Sequence, residues 1–181
     1  MRFPDVVTDL GAFTPPADVG ADVRLILRYV PPRLLAGLHS VRIAVTSDFN
    51  HRQRRQKTRR RGRVVALRSA AGLYHAAWNG RPASIELFVD NAFSGAPAWS
   101  LRVPVLRRTL LSATLYHELG HHIHATVAPE HSEREDVADR WSVRLLRRFL
   151  FRRYWYLLPL IYPVVQLTRI VGAGQRARAS A

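Results

Sequence analysis

Cysteine is absent from this 181-residue chain. That removes disulfide frameworks, thiolate zinc sites, iron–sulfur clusters and cysteine nucleophiles from consideration. Lysine is nearly absent too: Lys57 stands alone beside 27 arginines. Acids are scarce, 13 against 28 Lys and Arg, so the net charge is +15. Such a chain attracts polyanions, whether nucleic acid or an anionic membrane, although GC-rich codons give the same arginine skew. No apolar run reaches the ~20 residues of a comfortable membrane span. The N-terminus has no basic start followed by an apolar stretch, so a signal peptide is not expected and cytoplasmic residence is the default. The hydrophobic share, 48%, is that of a globular protein with a core of its own.

Along the chain, residues 1–20 are rich in turn formers and read as extended. Residues 21–30 form a short helix stopped by Pro31 and Pro32. Residues 33–37 add a helical turn. In 40–47 the alternation of Val41, Ile43 and Val45 predicts a strand. The stretch 51–63, HRQRRQKTRRRGR, has no apolar residue and reads as a solvated loop or arm. Residues 64–68 and 72–78 read as strands. Asn79-Gly80 signals a hairpin turn into 83–90, where Ile85, Leu87 and Val89 share a face. A long helix is expected over about 105–126 and a second over about 133–150. The second has Ser132 as N-cap and Ala138, Trp141, Leu145 and Phe149 on its apolar face. Residues 154–168 carry no charge for 15 residues. They read as a segment packed on the core or, alternatively, lying at a membrane surface; 172–181 read as a loose tail. The expected organisation is one domain over 1–150, followed by this apolar segment and basic tail over 151–181.

The chemistry gathers in one place. Five of the eight histidines (His117, His121, His122, His124, His131) and six of the thirteen acids (Glu118, Glu130, Glu133, Glu135, Asp136, Asp139) lie within 117–139. A metal site needs that local excess of imidazole and carboxylate. Within it, His117-Glu118-Leu119-Gly120-His121 is an H-E-x-x-H motif. Residues four apart share a helix face, so both imidazoles can grip one ion while Glu118 reaches its water. Leu111, Leu115, Leu119 and Ile123 recur every four residues and can bury another face of that helix. A third ligand is required. A histidine six residues after His121 would be one solution, but position 127 is valine and position 124 histidine rather than glycine. A carboxylate on the next helix is the other solution, with Glu133, Glu135, Asp136 and Asp139 available.

The pair H-E-L-G-H (117–121) and E-D-V-A-D-R-W (135–141) resembles the gluzincin metallopeptidases, the thermolysin-like zincins. The 13 residues between His121 and Glu135 are closer to the small minimal zincins of the ImmA/IrrE type. The resemblance implies an α+β minimal zincin fold, with a small, mostly antiparallel sheet on the motif helix and a second metal-ligand helix. It implies a zinc-dependent metallopeptidase in which His117, His121 and Glu135 hold Zn²⁺. Glu118 is then the general base, and Asp139 supports His117. It also implies a peptide substrate held along an edge strand, expected at Ser84–Val89. Tyr154, Tyr156, Tyr162 and His131 are the candidates for stabilising the oxyanion.

Plainer readings exist for the same residues. Ser132-x-x-Glu135 is also a capping box, in which Glu135 serves the helix end instead of a metal. His122 points off the ligand face, and His124 suits support or packing. His39, His51 and His75 read as structural or surface residues. Two rival functions remain: a basic nucleic-acid-binding protein (or a peptidase recruited to DNA or ribosomes) acting through Arg52–Arg63, and a membrane-associated protein whose metal is only a staple.

Overall fold

In the computed structural model, residues 3–49, 57–60, 63–129 and 134–157 are described. Strand β1 (Asp5–Thr8) leads into helix α1 (Val19–Leu27) and strand β2 (Leu38–Ala44). A two-stranded ribbon follows, β3 (Lys57–Arg60) with β4 (Arg63–Ala66). Then come β5 (Gly72–His75), β6 (Ala83–Phe88) and the short helices α2 (Val89–Ala92) and α3 (Ala98–Arg102). Two long helices close the described chain, α4 (Pro104–Thr126) and α5 (Arg134–Tyr154).

The protein is α+β, as expected, but the main sheet is mostly parallel rather than mostly antiparallel. Its order is β1-β2-β6-β5. β1 runs parallel to β2, β2 parallel to β6, and only β5 and β6 are antiparallel. The reason lies in the connections. The chain between β1 and β2 passes through α1, and parallel neighbours require such a crossover. β1 falls within the turn-rich stretch 1–20, where Asp5–Thr8 pairs with β2. The expected hairpin is present: β5 and β6 pair antiparallel, and Asn79 (φ 47°) and Gly80 (φ 78°) take the left-handed values that a tight hairpin turn demands.

This order corrects the expected substrate edge. Ser84–Val89 falls on β6 and its first residue beyond, and β6 is paired on both sides. The edge strands are β1 and β5, and of these it is β5 that lines the cleft described below. The basic stretch 51–63 is corrected as well, since Lys57–Arg60 pairs with Arg63–Ala66 instead of forming a loop; the rest of it lies outside the described residues.

One sheet face is apolar. Val41, Ile43, Ile85 and Leu87 are buried and pack on α4 through Leu111, Leu115, Leu119 and Ile123. Ala138, Leu145 and Phe149 of α5 are buried, as the helical spacing required, and Trp141 is partly buried against the core. Helix α4 therefore lies between the sheet and α5. Its N-terminal half is also tied to α1: buried Asp22 accepts from Arg107 Nε at 2.7 Å and Arg108 Nε at 2.6 Å. Across the opposite sheet face, Arg42 bonds Asp9 and Glu86, and Glu86 meets His75 at 3.2 Å. Among the described residues, no helix is long and apolar enough to cross a membrane. Of the apolar segment 154–168, only 154–157 is described. Helix α5 runs through Tyr154, and Trp155–Leu157 add a 3-10 turn.

Candidate metal centre

Helices α4 and α5 bring the motif residues together. His117 and His121 are one turn apart on α4, with ring centroids 4.9 Å apart and planes at 88°. Glu135, in the first turn of α5, faces both: its Oε2 lies 3.5 Å from His117 Nε2 and its Oε1 3.6 Å from His121 Nε2. One ligand atom from each of the three lies within 4.8 Å of the others. Tetrahedral zinc with bonds of about 2.0–2.1 Å sets its ligand atoms roughly 3.3 Å apart, close to the two carboxylate–imidazole separations. Glu135 Oε2 is buried and has no hydrogen-bond partner among the described residues. A buried carboxylate oxygen in that state is costly unless a cation or donor meets it. The residues present therefore fit a metal ion. The expected grouping of His117, His121 and Glu135 is present in the fold, whereas the capping partner Ser132 lies outside the described residues.

Asp139, one turn after Glu135, places its Oδ1 3.0 Å from His117 Nδ1. A carboxylate only accepts, so Nδ1 carries the proton and the lone pair of Nε2 turns toward Glu135. Asp139 is thereby occupied with orienting a histidine. Glu118 is 8% exposed and lines a cleft of about 580 Å³ together with the three metal-facing residues. Its carboxylate lies against the backbone of β5. A Cβ built at Gly72 would stand 2.7 Å from Glu118 Cγ and 2.9 Å from its Oε1.

His122 is fully buried where α4 meets β5, against Tyr74, and is not one of the three grouped metal-facing residues. Its Nε2–H donates to the Ala36 carbonyl at 3.0 Å, and its Nδ1 meets the Tyr74 hydroxyl at 3.4 Å. Burial holds this imidazole below its usual range, against the pull of the Ala36 hydrogen bond. Burial likewise raises the Tyr74 phenol. His39 is exposed, and His75 belongs to the polar face of the sheet; His51 lies outside the described residues.

The oxyanion candidates do not gather here. Tyr154 ends α5, roughly 28 Å along the helix axis from Glu135 at 1.5 Å per residue. It is buried in the core, its hydroxyl 3.4 Å from Arg108 Nη1. Tyr156 follows in the next turn and is exposed. Tyr162 and His131 lie outside the described residues. The cleft is lined instead by Tyr74, His124 and Arg134. His124 stands seven residues after His117, two helical turns on, and that spacing was the available signal. Tyr74 carries no such signal, because which strand borders the cleft depends on pairing with β6.

No family model, curated protein or solved structure matches this chain.

Proposed function

We propose that this protein is a metal-dependent peptidase with His117, His121 and Glu135 as ligands of a zinc ion. One observation carries the reading. Two imidazoles and a carboxylate converge from two helices, and the buried Glu118 lines the cleft they open onto. Two nitrogens and one carboxylate oxygen are a donor set suited to zinc, leaving a coordination position for water. When bound, zinc acts as a Lewis acid that acidifies water and polarises a carbonyl.

The chain's own residues do the rest. Asp139 holds His117 in the tautomer that presents Nε2. The Glu118 carboxylate accepts a proton from the attacking water and returns it to the nitrogen of the departing amine. Gly72 gives Glu118 room to lie against the sheet edge. An extended peptide adds to β5, whose backbone is paired on the β6 side, so the scissile bond passes Glu118. Leu73, Ala76 and Ala125 make part of the cleft wall apolar, which suits a substrate side chain.

A closed structural staple fits less well. Asp139 is engaged by His117 Nδ1, and the group has three members among the described residues, whereas a structural zinc takes four protein ligands.

The test is elemental analysis of wild type, His121→Ala and Glu135→Ala, with peptide-library cleavage by wild type and Glu118→Gln. The expected result is about one zinc per wild-type chain, lost in His121→Ala and weakened in Glu135→Ala. Glu118→Gln keeps its zinc and loses turnover. Wild-type protein that takes up no zinc, or Glu118→Gln that cleaves normally, overturns the reading.

A further inference from the structure

We infer that Gly120 is a positioning residue of the metal centre: the missing side chain sets how closely α5 carries Glu135 to His117 and His121. The inference rests on the metal-centre reading above and deepens it.

Position 120 is one of the two unspecified places in the motif, and the chemistry asks nothing of it. Helix formation argues against glycine there, since glycine is among the poorest residues for a helix interior. Its presence in the middle of a 23-residue helix needs another cause, and the packing supplies one. A Cβ built at position 120 would lie 2.6 Å from Ala138 Cα, 2.7 Å from its carbonyl oxygen and 3.1 Å from its carbonyl carbon. All three are backbone atoms of α5. No rotamer change relieves them, so a side chain at 120 must push the two helices apart. Gly72 differs here, because its neighbours are atoms of the Glu118 side chain, which can swing away.

The place of this contact matters as much as its closeness. Gly120 directly precedes His121 and lies three residues after His117. Ala138, itself fully buried, lies three residues after Glu135 and directly precedes Asp139. The contact thus falls within one turn of all three proposed ligands and of the carboxylate that orients His117. Easing the 2.6 Å contact to an ordinary 3.4 Å moves α5 away by about 0.8 Å. Metal–ligand distances tolerate about 0.2 Å. Separation on that scale takes Glu135 beyond the reach of an ion held by the two histidines.

The test measures zinc affinity of the full-length protein by competition with a chromophoric chelator, together with the visible spectrum of the cobalt-loaded form. Neither readout needs a substrate. Gly120→Ala is compared with Glu135→Asp, which keeps the Gly120–Ala138 contact and shortens the reach from α5 by one methylene. Both variants are expected to bind zinc at least roughly tenfold more weakly than wild type, with weakened tetrahedral cobalt bands and an unchanged far-ultraviolet helical spectrum. Gly120→Ala that folds and binds zinc like wild type overturns the inference. If Gly120→Ala does not fold, Glu135→Asp decides: wild-type affinity there shows that the site tolerates the lost reach, and the inference falls. Wild-type protein that binds no zinc overturns the metal-centre reading itself, a separate and distinguishable outcome.

Discussion

Glu118 rests so closely on Gly72 that a methyl group at position 72 would stand 2.7 Å from its Cγ. A strand residue on β5 and a helix residue on α4 thus share one space, and the helix residue holds it. Gly72→Ala should displace the Glu118 carboxylate while leaving all three metal-facing residues in place. The expected outcome is normal zinc content with kcat at least roughly tenfold lower, since proton transfer by a positioned base contributes about 10²–10⁴-fold. Elemental analysis and peptide turnover on the same preparation check it. A simultaneous loss of zinc would show that the strand supports the ligands instead.

In the proposed metal centre, Asp139 would act through His117, whose Nδ1 it meets at 3.0 Å. Asp139→Ala removes the acceptor for Nδ1–H and frees the ring to change tautomer. Zinc affinity should fall about 10–100-fold, the usual effect of losing such a partner. The chelator competition assay measures it directly, and unchanged affinity would separate the 3.0 Å contact from metal binding.

Buried Asp22 takes hydrogen bonds from Arg107 and Arg108. Its carboxylate is 3% exposed and the Arg107 side chain 7%, so removing the acid leaves cationic charge inside the protein. Asp22→Ala should destabilise the fold by about 3–5 kcal/mol, read as a lower urea midpoint at unchanged slope. A loss under about 1 kcal/mol would mean that water reaches the arginines.

The polar face of the sheet predicts an acid dependence. A hydrogen bond from His75 holds Glu86 below its usual 4.5, helped by Arg42 and opposed by partial burial. The folded state therefore releases this proton at lower pH than the unfolded chain does. The stabilisation is complete above about pH 4.5 and is lost as pH falls through the folded value. Glu86→Gln should accordingly show a shallower loss of stability than wild type over that acid window, in urea melts from pH 6 down to pH 3. Parallel curves would overturn the assignment.

The sequence disclosed what depends on local periodicity. Leu111, Leu115, Leu119 and Ile123 mark the buried face of α4, and Ala138, Leu145 and Phe149 that of α5, because each repeat matches the helical turn. Asn79-Gly80 marked its hairpin because few residues accept the left-handed backbone there. What stayed hidden depends on partners far along the chain. Ile85, Leu87 and Val89 announce one buried face, but alternation does not reveal whether a strand has neighbours on one edge or both. β6 therefore passed for an edge strand. β1, four residues long amid turn formers, owes its existence to pairing with β2. Tyr154 lies past the helix end expected near 150, whereas α5 continues through it and holds it far from Glu135. Gly120 passed as filler inside a motif, since only the approach of Ala138 gives its bare backbone a purpose.

The residues that face the metal group stand in the interior scaffold. α4 carries His117 and His121 on one side and Leu111, Leu115, Leu119 and Ile123 on another, between the sheet and α5. An ion clasped between α4 and α5 would therefore brace the same two helices that close the core. At a free concentration a thousand times its dissociation constant, a ligand confined to the folded state adds about 4 kcal/mol. Heating this protein with and without a chelator would turn its melting temperature into a gauge of occupancy, readable long before any substrate is known.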